Sequence, residues 1–436
     1  MVTRIVAYIS GGAGTMKFIS LLALLLVSAV ALANGDPNAP NACRFDDCKL
    51  PNCRCSSYNI PGDLALKDTP QFVTVSFPGS VNVNNIVTYR DILYNRVNSN
   101  GCPVGATFFV NHEYNNYVLV NELYNRGFEI GLSSITHQTP KTYWQEATYD
   151  VIKREIVDQR LQMAHFANIP LDSIKGVRLP FLQLAGNNSF QVMADYGLEY
   201  DYTWVHTLRA NPAPWPHTLD YRSTLRCDIP PCPTASIPGV WIKPLISWFD
   251  QRGTPCSTLD ACYFVPDYEN EEKWFLFILN NFQTHYFGNR APFSFFVNES
   301  FLTTFPAVRR AFVRFMDVIN NLEDVFTVIF TLTSCSVWFL GSLKLTHFRA
   351  IYNLGCRKSL REKFKEINNI MTVPCQFIYE YIMYVRINLN LFGEVSDRHN
   401  YQTRQQDRLS QPFFRLIKYS CNKIPEEIKH LNERKF

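Results

Sequence analysis

The sequence predicts an α/β fold built on a parallel sheet or barrel, and three observations carry that expectation. Short apolar runs alternate with stretches of helical spacing, their separations fit strand–helix–strand crossovers, and glycine or proline punctuates the helix ends. Gln71–Phe77 reads as a buried strand and Ile86–Asn95 as a helix. A second strand is expected at Ala106–Val110. It leads to a clearer helix at Tyr117–Arg126, with Leu119, Val120, Leu123 and Tyr124 on one face and Gly127 as its stop. Phe128–Leu132 is a third strand, Thr148–Asn168 a long helix closed by Pro170, and Ile174–Arg178 the start of another strand. Residues 205–262 are rich in proline and read as long ordered loops braced by disulfides. Helix returns at Asn270–Asn281, strand at Pro292–Val297, and a long amphipathic helix at Phe305–Leu322. Chemistry in such folds collects at the carboxyl ends of the strands, so a site is expected after Phe77, Leu132 and Arg178.

Composition narrows the class. Of 436 residues, 47% are hydrophobic and 18% charged, which is globular rather than disordered. The net charge of +4 is too small at this length to mark a nucleic-acid partner. It is also uneven: residues 331–436 hold 17 Lys and Arg against 9 Asp and Glu, so the rest of the chain is slightly acidic. Lys17, the uncharged apolar run Phe18–Leu32 and the Ala31-Leu32-Ala33 site describe a secretory signal peptide cleaved after Ala33. The run is too short to span a membrane comfortably. Residues 1–15 read as an upstream extension, with Met16 as the alternative start. The expected location is secreted and extracellular, with no membrane span after cleavage.

Nine of the thirteen cysteines precede residue 331. Cys43, Cys48, Cys53 and Cys55 cluster behind the leader, Cys227 and Cys232 flank one proline-rich loop, and Cys256 and Cys262 flank another. A zinc site competes for the first cluster. Disulfides are favoured there, because a signal peptide precedes it and no histidine is near. With Cys102 the count is odd, which leaves one thiol free or paired with the tail. The expected layout is an extension and signal peptide (1–33), a cysteine-rich lead-in (34–70), a main domain (71–330) and a divergent basic tail (331–436). Read-through into an intron would account for that tail as well as a functional appendage would.

Several stretches, in order, resemble one family. They are N-C-R-C-S-S, T-Y-R-D-I-L-Y, F-F-V-N-H-E-Y-N-N-Y-V-L-V-N-E-L-Y-N-R-G-F-E-I, G-V-R-L-P-F-L-Q-L-A-G-N-N-S-F-Q-V-M, P-P-C-P-T-A-S-I-P-G-V-W and N-R-A-P-F-S-F. They are similar to insect chitin deacetylases, polysaccharide deacetylases of the NodB type in carbohydrate esterase family 4. The likeness is to the gut-type group without a chitin-binding module, and it covers residues 43–328. The resemblance implies an α/β fold, a distorted (β/α) barrel of the polysaccharide deacetylase type. It also implies metal-assisted removal of the N-acetyl group of chitin, in which zinc or another divalent metal activates a water. The family holds that metal with one aspartate and two histidines, uses a second aspartate as base and a late histidine as acid.

Those positions are changed here. The family's strand followed by Phe-Asp-Asp is Phe77-Pro78-Gly79, so base and metal ligand are both missing at Pro78 and Gly79. His-Ser-x-x-His is Ser133-Ser134-Ile135-Thr136-His137, which keeps His137 alone. The acid histidine falls at Asn298. The resemblance further implies that Arg178 and Pro180, in R-L-P, and Asp201 with Trp204 form the supporting shell. Arg178 then needs a new counter-charge, for which Asp201 and Glu299 are the candidates. His112-Glu113 is expected to open a helix away from the strand ends. Asn187-Asn188-Ser189 is a glycosylation sequon; a second, at Asn298, lies in the former cleft. No metal cofactor is therefore expected. The expected function is that of a non-catalytic relative binding chitin or chito-oligosaccharide, with Trp204, Trp215, Trp241 and Trp248 as core or sugar platforms. Residual metal-dependent deacetylation and a non-glycan interaction role are the alternatives.

Overall fold

The computed structural model describes residues 42–50, 52–208 and 212–331. The signal peptide expected over 1–33 and, apart from Thr331, the basic tail expected over 331–436 lie outside these residues.

The alternation seen in the sequence becomes one curled sheet. Strands β1 (Gln71–Pro78), β2 (Thr107–Asn111), β3 (Glu129–Ser134), β4 (Gly176–Val177) and β5 (Tyr200–Asp201) run parallel side by side. The next six are all two-residue strands that replace the expected loops; the first five are β6 (Val205–His206), β7 (His217–Thr218), β8 (Trp241–Ile242), β9 (Leu245–Ile246) and β10 (Trp248–Phe249). The sixth, β11 (Pro255–Cys256), pairs antiparallel with β10. Then come β12 (Phe293–Phe296) and β13 (Val325–Thr327). The order is β12-β1-β2-β3-β4-β5-β8-β7, with β13 also on β1; β6 and β9 pair separately. Since β9 also lies against β12, the sheet nearly closes, giving a distorted barrel.

Strand ends shifted from expectation by a residue or two, as hydrogen bonding rather than composition sets them. The helices have identifiable starts. Asn116 caps Tyr117–Asn125 by accepting from the N–H groups of Val118 and Leu119, and Gly127, at φ +90°, ends it. Asn270 caps Glu271–Tyr286, and proline opens Pro306–Asn320. The long helix expected at Thr148–Asn168 is real but interrupted. A turn at Tyr149–Ile152 runs through a π-turn at Lys153–Val157 into Asp158–Phe166.

Aromatic rings fill the barrel. Phe109, Tyr200, Tyr202, Phe296 and Phe330 form one buried cluster inside it. Two strand glycines make room for them: a Cβ on Gly131 would meet the Phe109 ring at 2.8 Å, and one on Gly176 the Tyr200 ring at 2.1 Å. Cys43–Cys55, Cys48–Cys53, Cys227–Cys232 and Cys256–Cys262 are disulfides, and Cys102 is disulfide-bonded as well. The lead-in is tied down through Arg54, whose guanidinium donates to Pro216 O at 2.7 Å and Asn59 O at 2.9 Å. Trp204, Trp215 and Trp248 are buried and Trp241 half-buried, so the first three are core, not platforms. Their indoles occupy space that the short, proline-rich strands cannot fill.

Candidate functional site

Six strand ends converge on the residues singled out above. After β1 the chain turns through Pro78 and Gly79. Gly79 N–H donates to Phe109 O at 3.0 Å and its backbone sits at φ +99°, where side-chain-bearing residues are strained. A Cβ built there would meet nothing within 4 Å, so space remains although the backbone is wrong for it.

After β3 the situation is different. Ser133 and Ser134 are buried. Ser134 Oγ accepts from His137 N–H at 3.0 Å, and Gln159 Nε2 donates to Val110 O and Ser134 O, tying the ends of β2 and β3 together. Glu155, inside the π-turn, holds the loop with both oxygens. One accepts from the N–H groups of Ile135 and Thr136 at 3.1 and 3.0 Å. The other accepts from Thr136 Oγ1 at 2.7 Å and Tyr143 O–H at 3.0 Å. His137 is half-buried, packs on the Phe181 ring at 5.2 Å, and accepts at Nδ1 from Asn111 Nδ2 at 3.3 Å. In that pairing the neutral ring carries its proton on Nε2. Burial first, then the Arg178 charge, pushes its pKa below the usual histidine value, so it is neutral at physiological pH.

Arg178, just past β4, is buried with its guanidinium 3.7 Å from the centroid of the Phe296 ring. Burial pushes its pKa down to about 10, and Tyr202, Asp260 and Asp201 act against that shift. The counter-charges are thus Asp260 and Asp201. Glu299, the other candidate from sequence, instead accepts from Thr303 O–H, because it faces along its own helix Glu299–Thr304. Asp201 accepts through Oδ2 from the N–H groups of Thr203 and Trp204 at 2.9 and 3.2 Å, and burial pushes its pKa up to about 6. Asn298 does not meet Asp201: its Nδ2 donates to Asp260.

Asp260 is the residue that sequence reading missed. It sits in the turn Leu259–Ala261, inside the loop closed by Cys256–Cys262. Nothing in the sequence separates it from other loop aspartates; only the disulfide spacing hinted that this loop is rigid. A second correction concerns His112 and Glu113. They follow β2 directly, because the helix starts only at Tyr117, and Glu113 acts electrostatically on His137. Asn187 Oδ1 accepts from the N–H groups of Thr234 and Ala235, and its Nδ2 donates to Thr234 Oγ1, so a glycan there would have to replace that last bond. Pro180 opens a turn in which Phe181 and Leu182 have φ of 55° and 54°. Tyr114 (φ 59°) and His137 (φ 46°) are strained similarly. Backbone strain of this kind collects at binding and catalytic surfaces. Phe181, 42% exposed, and Tyr114, 88% exposed, stand at the same ends of the strands.

These residues do not fit a divalent metal. The three ligand positions implied by the family offer no side chain at Gly79, a hydroxyl at Ser133 and one imidazole at His137, whereas a catalytic zinc takes three protein ligands and a water. Among the described residues, Cys43, Cys48 and Cys55 form the group of three or more metal-type donors that come together, and their sulfurs are in disulfides.

No protein-family model matches the chain. Over 313 residues it is 61% identical to "Chitin deacetylase 8" of Bombyx mori, covering 72% of this chain and 82% of that protein. It is 35% identical over 316 residues to "Chitin deacetylase 1" of Bombyx mori, covering 70% of this chain and 58% of that protein. The chain therefore spans a little over half the length of the second relative. Among solved structures, a probable polysaccharide deacetylase from Pseudomonas aeruginosa PAO1 aligns at 13% identity and TM-score 0.42, over 63% of this chain and 92% of that one. On the strength of its relatives, the chain belongs to the chitin deacetylase family.

Proposed function

We propose that this protein is a secreted, non-catalytic member of its family that binds chitin or chito-oligosaccharide. One observation supports the reading: His137, Arg178 and Asp201 stand at strand ends, while the positions at which the family resemblance puts ligands, base and acid hold Gly79, Ser133, Pro78 and Asn298. Amide hydrolysis needs an activated water, and neither a hydroxyl nor a neutral, shielded imidazole supplies one comparable to metal-bound hydroxide. Binding needs less. A pyranose ring stacks its apolar face on an exposed aromatic ring; Phe181 offers such a ring against His137, which pairs with Asn111, and Tyr114 is an exposed ring in the segment after β2.

Secretion rests on the leader at 16–33 and on the disulfide-bonded cysteines. No helix among the described residues is long and apolar enough to cross a membrane. The relatives' printed names supply the polymer. Two assays test the reading together. With added Zn²⁺ or Co²⁺ the protein is expected to release no acetate from acetylated chito-oligomers beyond a heat-denatured control, and it is expected to be retained on chitin beads. Metal-dependent acetate release would establish residual deacetylation; failure to be retained would point to an interaction role without glycan.

A further inference from the structure

Phe181 stands on a strained turn, and the segment that holds this turn is closed by a disulfide. Phe181 and Leu182 follow one another at φ of 55° and 54°, and two bulky residues keep such a backbone only where their surroundings impose it. The surroundings here include the segment between Cys227 and Cys232. Its Pro230 O accepts from Gln183 Nε2 at 2.9 Å, and its Pro231 O accepts from Gly186 N–H at 3.1 Å, so it grips the chain directly after the turn. Ile229 of the segment and Leu182 of the turn pack against the same buried aromatic cluster of Phe109, Tyr200 and Tyr202.

That disulfide is also open to a reagent in solution. Among the described cysteines Cys227 is exposed, whereas the others are buried or half-buried. Cys48–Cys53 and Cys256–Cys262 are buried at both ends. Exposed disulfides are the labile and regulatory ones, because exchange needs access to a sulfur. A small thiol attacks Cys227 Sγ as its thiolate, forms a mixed disulfide there and releases Cys232 as a thiolate, which takes a proton. A second thiol displaces the first and frees Cys227 in the same way. The two reagent thiols leave oxidised to their own disulfide, and both cysteines remain as thiols. Residues 228–231 are then held by hydrogen bonds and by Ile229 alone.

We propose that Cys227–Cys232 is a redox latch on the sugar-binding face. Oxidised, it holds the turn that presents Phe181 against His137; reduced by a small thiol such as glutathione, it releases that turn and weakens glycan binding. This rests on the glycan-binding reading above and adds its regulation. The effect follows population: a turn that keeps its binding form about a fifth of the time lowers affinity about fivefold.

Stepwise reduction of the full chain with glutathione tests it. Differential alkylation and mass spectrometry follow each disulfide, hydrogen exchange follows the backbone, and calorimetry follows acetylated chito-tetraose. Cys227 and Cys232 are expected to be alkylated before Cys256 and Cys262. At that stage the Gln183 and Gly186 amides are expected to lose protection at least about tenfold, while the Gly79 amide, which donates to Phe109 O, keeps its own. Affinity for the tetramer is expected to fall about fivefold and to return on reoxidation. Cys227→Ser with Cys232→Ser, which has no latch to close, is expected to bind at the weakened level with or without glutathione. Unchanged circular dichroism separates a freed turn from a lost fold; if the double variant does not fold, reduction of the parent decides. Cys256–Cys262 reduced first, protection unchanged after Cys227–Cys232 opens, or a double variant that binds like the parent would overturn the proposal. If the oxidised parent binds the tetramer and selective reduction leaves its affinity alone, this inference alone fails. If the oxidised parent does not bind, the glycan-binding reading fails with it.

Discussion

The loop after β3 and the turn after β1 both depart from the motifs that the family resemblance implies, but they depart in different ways. After β3 the loop's frame stands complete: Glu155 and Gln159 hold it, Ser134 steadies His137, and only the side chain at Ser133 differs from what a metal would need. After β1 the backbone itself has changed, because Pro78 has no N–H and Gly79 turns at φ +99°. A motif can thus change at the level of side chains or at the level of the chain path, and only the first leaves the backbone in place for the missing group.

The largest expected effect comes from breaking the intact half. Glu155→Ala removes a buried carboxylate that accepts four hydrogen bonds, and is expected to destabilise the fold by about 3–5 kcal/mol. Urea denaturation measures the loss. Hydrogen exchange should show the amides of Ile135 and Thr136 losing protection before those of β1. A loss below about 1 kcal/mol would mean that the loop is held by packing alone.

Restoring the ligands sharpens the contrast. Ser133→His alone is expected to leave zinc affinity unchanged, since one added imidazole beside His137 still under-coordinates the ion. Pro78→Asp, Gly79→Asp, Ser133→His and Asn298→His together are expected to gain measurable zinc binding. The cost is about 1–3 kcal/mol of stability, concentrated at Gly79→Asp. A Gly79→Asp variant as stable as the parent would show that the turn after β1 relaxes freely, and the contrast would dissolve.

A smaller effect follows from Asp201. Burial raises its folded pKa to about 6 from an ordinary value of 3.8. The folded state therefore binds the extra proton between those values. Asp201's contribution is fully present below about pH 4 and is lost as pH rises through 6. Asp201→Asn should flatten that part of the stability profile. Buried His217 and His285 act in the opposite sense. Their pKa values, pushed down to about 3 and about 4 by burial, give stability that is present above pH 6.5 and lost as pH falls toward those values. Melting curves of the parent and of Asp201→Asn between pH 4 and 7 separate the two.

Much of the fold was legible because buried parallel strands are written as continuous apolar runs and helices as spaced ones. The strands around 205–262 were not: at two residues each they carry no periodicity, and tertiary pairing alone defines them. In the site, positions tied to strand ends (Pro78, Gly79, Ser133, His137, Arg178, Asn298) could be placed from the sequence. Asp260 could not, since a loop folded by a disulfide and by Asp250 delivers it from outside the alternation. The opposite happened at His112-Glu113, which lie five and four residues ahead of the helix start at Tyr117 and directly after β2, not in a helix opening away from the strand ends.

The central claim is that the assembled frame binds sugar and does no chemistry on it. A single incubation of the protein with acetylated chito-tetraose and Zn²⁺ tests both halves, with binding followed by tryptophan fluorescence or calorimetry and the sugar's mass followed over a day. Saturable binding with the tetramer's mass unchanged is the predicted result. A loss of acetyl groups that depends on the added metal would contradict it.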